Sequence, residues 1–154
     1  MPVEIERKFL VEGDAWRVPG AGIHYRQGYL SASPACSVRV RVMQEQAFLG
    51  IKGKTVSATR AEYEYPIPLV DANEMLDTLC KRPVIGKLRY RIEYRGLVWE
   101  VDEFEGENAG LVIAEVELDA EDQAVELPDW IGAEVTGDAR YYNASLALKP
   151  FCSW

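Results

Sequence analysis

Polar and apolar residues alternate along most of this chain, and a period of two is the signature of a half-buried β-strand. Residues 3–11 place Glu4, Glu6 and Lys8 on one face and Ile5 and Phe9 on the other. In 22–31, Tyr25, Gln27 and Tyr29 share a parity, and in 36–43 Arg39 and Arg41 oppose Val38, Val40 and Val42. Residues 48–54 set Lys52 against Leu49 and Ile51, and 59–67 set Arg60, Glu62 and Glu64 against Tyr63 and Tyr65. Pro66 and Pro68 end that strand at an edge or exit. Residues 86–94 oppose Lys87, Arg89 and Arg91 to Leu88, Tyr90 and Ile92. A tight turn in EYRGLVW leads into 97–104, where Glu100 and Asp102 face away from Trp99 and Val101. In 111–118, Glu115 and Glu117 face away from Val116 and Leu118.

Helical periodicity is scarcer. Asp71 can cap a helix over 72–82 with Met75, Leu76 and Leu79 on its inner stripe and Pro83 as its stop. A second short helix is predicted over 119–127, before Pro128. A third is predicted over 137–149, capped by Asp138, with Tyr142, Leu146 and Ala147 inward. Eight strands, each charged on one face and apolar on the other, have an economical solution in closure. The fold class expected is α+β, mainly β: a single domain over 1–154 forming an eight-stranded antiparallel closed β-barrel. Its polar face lines a lumen, its apolar face lies outward under a few covering helices, and no strand edge is left unpaired.

Composition narrows the chemistry. The 154 residues are 48% hydrophobic and 27% charged with a net charge of -8, the balance of a globular domain. A pI near 4.8 argues against a nucleic-acid partner, which calls for a basic footprint. No apolar run reaches the ~18 residues of a membrane span, so no membrane partner is expected. The opening PVEIERKFLVEG shows no basic stretch followed by an apolar one, and a cytoplasmic location is expected. Cys36, Cys80 and Cys152 are scattered and outside any CxxC, and His24 is the one histidine. A zinc site, a disulfide framework and a Cys-His nucleophile are therefore disfavoured. A metal here would be a hard cation on carboxylates.

The predicted lumen is dense in both signs. Its basic set is Lys8, Arg39, Arg41, Lys52, Arg60, Lys87, Arg89 and Arg91; its acidic set is Glu4, Glu6, Glu62, Glu64, Glu100, Asp102, Glu115 and Glu117. Such a lumen is costly to desolvate unless it is wet or filled. A polyanion on Lys and Arg, with a divalent cation on carboxylates, neutralises both sets at once.

At these residues the chain resembles the CYTH superfamily, the triphosphate tunnel metalloenzymes. The resemblance starts from ExExK, here Glu4-Ile5-Glu6-Arg7-Lys8, and continues in order through RQGYL, SVRVRV, IKG, TRAEYEYPI, GKLRYRIEY, WEVDEF, IAEVEL and EVTGDARYYNASLA. It implies an antiparallel barrel acting on triphosphates with Mg²⁺ or Mn²⁺. Residue by residue, it implies a metal on Glu4, Glu6, Glu115 and Glu117 with Asp102 beside them. It implies a triphosphate clamp of Lys8, Arg39, Arg41, Lys52, Lys87 and Arg89, with Glu62 and Glu64 as acidic positions opposite. Arg60, Arg91 and Glu100 are expected as ion-pair partners. Tyr29 of RQGYL and Lys52 match a tyrosine–lysine pair of the small bacterial inorganic triphosphatases, which makes them the catalytic candidates. The activity implied first is hydrolysis of tripolyphosphate to pyrophosphate and phosphate. The alternatives are an adenylate cyclase, thiamine triphosphatase or nucleoside triphosphatase of the same tunnel, or a polyphosphate-binding module without turnover. A homodimer is compatible with the sequence, which does not fix the assembly.

Overall fold

The computed structural model of the chain describes residues 2–154. Strands β1 (Val3–Val11), β2 (Ile23–Ala32), β3 (Cys36–Met43), β4 (Gln46–Gly53) and β5 (Thr59–Pro66) come first. Helix α1 (Leu69–Thr78) then leads to β6 (Ile85–Tyr94), β7 (Leu97–Phe104), β8 (Val112–Glu117), a short β9 (Ile131–Glu134) and helix α2 (Asn143–Leu148). Every pairing is antiparallel, in the order β5-β4-β3-β2-β6-β7-β8-β1, and β5 pairs back onto β1 to close the ring. This is the eight-stranded barrel that the alternation predicts. β9, which the periodicity did not announce, adds to β1 beyond Phe9 at an irregularity in register.

The turn between β6 and β7 is Arg95-Gly96 with φ of 51° and 81°. Both residues lie in the left-handed region that a two-residue hairpin demands. The outer face carries two apolar clusters. One gathers Phe9, Trp16, Tyr90, Trp99, Val101 and Val116, with Val125 and Trp130 packed on it. The other joins Val40 and Ala47 to Ala72, Leu76 and Cys80 beneath α1.

The helices depart from expectation in three ways. α1 starts three residues early, with Pro68 at its N-cap and no side-chain cap, while Asp71 lies in its first turn. Proline suits such a start because the missing N–H has no helical partner there. Residues 119–127 form no helix. Gln123 Oε1 accepts from Asp119 N at 2.7 Å, Glu121 bonds Ala58 N and Thr59 Oγ1, and Val125 settles on the Trp99 face. These outside partners win over a segment too short to hold a helix by itself. The predicted 137–149 helix is split into a turn of 3₁₀ at Ala139–Tyr141, capped by Asp138, and α2.

α2 also does not cover the outside. Leu146 and Ala147 pack with Tyr29, Ile85, Phe104, Ile113 and Leu10. These share the parity of Gln27, Lys87, Asp102, Glu115 and Lys8, so they belong to the lumen face. α2 therefore stoppers one end of the barrel. Among the described residues no helix is long and apolar enough to cross a membrane.

Candidate functional site

A cavity of about 440 Å³ opens inside the barrel above that stopper. Its walls are the alternate residues of all eight strands, including Glu4, Glu6 and Lys8 of β1, Arg39 and Arg41 of β3, Lys52 of β4 and Glu115 and Glu117 of β8. Strand order sorts these charges. Lys52, Arg39, Arg41, Lys87, Arg89 and Arg91 lie on the consecutive run β4-β3-β2-β6, with Tyr25 and Tyr29 of β2 between them. Glu62, Glu64, Glu4, Glu6, Glu115, Glu117 and Glu100 lie on the complementary run β5-β1-β8-β7. Lys8 and Arg60 are the cations set within the acidic half. The lumen is thus a tube with one basic and one acidic wall.

On the basic wall Glu64 Oε2 accepts from both Arg39 and Arg41, at 3.3 and 3.0 Å. Gly50 gives Arg39 its room, since a Cβ there would stand 3.3 Å from the guanidinium. Arg89 makes a bidentate pair with Asp102, at 2.7 and 2.9 Å, and reaches Glu100 at 3.2 Å. Lys87 Nζ meets Asp102 Oδ2 at 2.8 Å. Burial opposes the charge on Asp102, yet Arg89 and Lys87 hold its carboxyl well below the usual range. Burial brings the Lys87 ammonium down to about 8 despite Asp102.

Asp102 is held differently from the four glutamates. It was expected beside the metal-binding glutamates, but it is fully buried and both its oxygens are taken by Arg89 and Lys87. It holds Lys87 and Arg89 in position on the basic wall. Arg91, 62% exposed, reaches Glu100 at 3.9 Å and stands at the mouth.

The acidic wall has the strains of like charge. Glu6 lies directly across from Glu117 in the β1–β8 register, and Glu100 across from Glu115 in β7–β8. Such pairs are unfavourable in a sheet without a compensating cation. Burial pushes the Glu6 carboxyl well above its ordinary value, and Glu115 and Glu4 push it further. Glu117 is raised by burial and by Glu4 and Glu100. Burial would raise Glu4 also, but Lys52 and Arg60 hold it well below the usual range. Glu62 is raised by its hydrogen bond to Glu4 and by burial. Glu115, against its burial, is held at about 2 by Lys8, Arg89 and Lys87. Lys8 in turn is raised despite burial because Glu115 and Glu6 face it.

The residues of this wall fit a hard divalent cation. Glu4 Oε1 is buried without a hydrogen-bond partner, Arg60 standing at 3.6 Å, too far to donate well. Carboxylate oxygens are the donors such a cation prefers. Among the described residues no group of three carboxyls already converges on one point, so ligation would draw these side chains inward.

Tyr29 and Lys52 both line the cavity but are held by different partners. Lys52 Nζ sits 2.7 Å from Glu4 and 3.1 Å from Glu62. The Tyr29 hydroxyl accepts from Gln27 Nε2 at 3.4 Å, and its ring belongs to the apolar stopper. The C-terminal segment supplies lining that alternation could not reveal: Tyr142, Asn143 and Ala144. Tyr142 lies under two cations, with Lys8 Nζ 5.3 Å and Arg60 Cζ 5.6 Å from its ring. Ser37, Met43 and Val98 complete the lining; Ser37 shares the parity of Arg39 and was legible on that ground.

Residues 2–149 match the CYTH domain. The chain is 52% identical over 151 residues to an inorganic triphosphatase of Acetivibrio thermocellus, spanning 98% of this chain and 97% of the relative. It is 38% identical over 155 residues to an inorganic triphosphatase of Nitrosomonas europaea, spanning 95% and 97%. A crystal structure of an inorganic triphosphatase superposes with a TM-score of 0.67 at 36% identity, covering 96% of each chain.

Proposed function

The chain belongs to the CYTH domain family, and on that premise we propose that it is an inorganic triphosphatase, hydrolysing tripolyphosphate to pyrophosphate and phosphate with a divalent cation, Mg²⁺ or Mn²⁺. The observation that carries this reading is the division of the lumen into a basic wall on β4-β3-β2-β6 and an acidic wall on β5-β1-β8-β7. A linear triphosphate laid between them presents oxygens to the Arg and Lys side and to a cation on the carboxylate side. The curated relatives of near-equal length carry the same activity by name.

In this reading Arg39, Arg41, Lys87 and Arg89 bind the phosphates and offset charge that develops as the bridging P–O bond breaks. Glu64 and Glu100, their partly exposed partners, release them to the substrate, while buried Asp102 keeps Lys87 and Arg89 aimed. Glu4, Glu6, Glu115 and Glu117 hold the cation, which supplies neutralisation of the phosphate oxygens when bound. Water attacks a terminal phosphorus, its oxygen forming the new P–O bond, and its proton passes to a base. Lys52 fills that role once it leaves Glu4 and Glu62 and sheds its own proton, with Tyr29 lining the same cavity from β2.

The test compares tripolyphosphate, ATP and thiamine triphosphate as substrates with Mg²⁺, with Mn²⁺ and in EDTA. The expected outcome is the highest kcat/KM for tripolyphosphate and loss of turnover in EDTA. Higher kcat/KM for ATP or thiamine triphosphate overturns the substrate, and undiminished turnover in EDTA overturns the cation.

A further inference from the structure

The block EVTGDARYYNASLA matches the family in sequence, yet its lumen residues have no part in the charges so far assigned. Asn143 opens α2 at the floor of the cavity, where the charged lumen gives way to the apolar stopper. Its Oδ1 accepts from Gln27 Nε2 at 2.8 Å and from Lys87 Nζ at 3.0 Å. A lysine ammonium can only donate, so the amide atom facing Lys87 is the oxygen, and the orientation of the amide follows from chemistry. Gln27 is fully buried and Lys87 nearly so, which fixes both donors. The Asn143 oxygen is spent on Gln27 and Lys87, and the side chain lines the cavity, which leaves the amide NH₂ as its unspent donor.

From this geometry we infer that Asn143 is a substrate-binding residue: its NH₂ donates to an oxygen of the phosphate seated deepest in the cavity. The inference rests on the triphosphatase reading and adds to it a neutral donor from outside the strands. Every other donor assigned to the phosphates is a Lys or Arg that must be released from a carboxylate or share one. Asn143 carries no charge to be released and is oriented before the substrate arrives. The same contact ties substrate to α2, so that the stopper is held from both sides, by Leu146 and Ala147 below and by the phosphate above.

The isosteric variant Asn143→Asp keeps an acceptor for Gln27 and Lys87, removes the donor and sets a carboxylate against the phosphate. Asn143→Ser keeps a hydroxyl too short to span the same distance, and it serves as the second variant should the first fail to fold. Tripolyphosphate is titrated calorimetrically into wild type and both variants in EDTA, and kcat and KM are then measured with Mg²⁺. Expected are wild-type-like thermal midpoints, a dissociation constant at least tenfold weaker for Asn143→Asp, a smaller weakening for Asn143→Ser, and a change carried in KM more than in kcat. Variants that bind within twofold of wild type, while wild type binds and turns over normally, overturn this inference and leave the triphosphatase intact. A wild type that neither binds nor hydrolyses tripolyphosphate overturns both.

Discussion

At the scale of single residues the lumen is held by charges that have exchanged partners with the roles their types suggest. Asp102 is the sharpest case. It is fully buried and neutralises Lys87 and Arg89, themselves 2% and 8% exposed. Removing one side of a buried ionic cluster strands the others, at ~3–5 kcal/mol. Asp102→Ala is expected to lose about that much in a urea titration, whereas a surface change such as Glu45→Ala stays within ~0.5 kcal/mol. A metal ligand at the cavity surface would not behave so, because clustered carboxylates repel and losing one relieves the apoprotein. Lys52 has the opposite character: it lies on the cavity wall between Glu4 and Glu62, and its neutral replacement removes a cation from an acidic neighbourhood. Lys52→Met is expected to fold and to lower kcat by at least ~10²-fold, within the range of lost general-base catalysis. It is also expected to flatten the rise of kcat toward alkaline pH, because a lysine acts as a base only in its neutral form. Wild-type kcat in this variant moves the base to a carboxylate, with Glu64 as the next candidate on the cavity wall.

Among the elements, strands were far more legible than helices, for a physical reason. A strand of a closed barrel has one wet face and one buried face, so its period-two signal is complete within a few residues. All eight lumen strands are found close to where alternation sets them. The helices answer to partners distant in sequence. Residues 119–127 look helical alone, but Glu121 is claimed by Ala58 and Thr59. α2 was expected outside because its apolar residues had no visible seat; the seat is the apolar end of the lumen face, at Ile85, Phe104 and Ile113. Asn143 was missed with it, and Tyr142, expected inward from a covering helix, was not placed in the lumen, since nothing in their local pattern sets them inside a barrel. α1 was legible in its stripe, Leu76 being fully buried on Val40 and Ala47, but not in how closely it approaches. At Gly28 of β2 an added Cβ would stand 2.8 Å from Cys80 Cβ and 3.0 Å from Leu76 Cδ2. Neither the strand nor the segment after α1 can yield cheaply there, and overpacking costs ~1–3 kcal/mol. Gly28→Ala is expected to lower the urea midpoint accordingly, while Cys80→Ala in the same background restores part of the loss. A Gly28→Ala protein as stable as wild type would mean that α1 shifts outward freely.

For the whole molecule, the divided lumen sets how stability depends on pH and on cations. Two groups of carboxyls act with opposite sign. Asp102, Glu4 and Glu115, the last held at about 2, bind protons more weakly folded than unfolded. Their contribution is present above the unfolded range of ~3.9–4.3 and is lost as pH falls through it toward ~2. Glu6, Glu62 and Glu117 are raised, so the folded chain holds their protons more tightly. Their contribution is present below that same range and is lost as pH rises above it. Lys87, lowered to about 8, adds stability only as pH climbs from about 8 toward its unfolded value of ~10.4. The cation-free protein is therefore expected to have its highest thermal midpoint in the mildly acid range, with a steep fall below pH ~4 and a gentler one toward neutrality. Mg²⁺ bound to the acidic wall stabilises only the state in which those carboxyls are ionised, and metal ligands must be deprotonated to bind. The midpoint gained with Mg²⁺ should be small near pH 4 and large near pH 8. Glu6→Gln, which removes the most strongly raised carboxyl with little change of shape, should lift the cation-free midpoint at pH 7–8 and shrink the Mg²⁺ response. Differential scanning calorimetry from pH 3 to 9, with EDTA and with Mg²⁺, on wild type and Glu6→Gln reads all of this at once. An Mg²⁺ response that is equal at pH 4 and pH 8, or that survives whole in Glu6→Gln, would place the cation elsewhere than on the acidic wall.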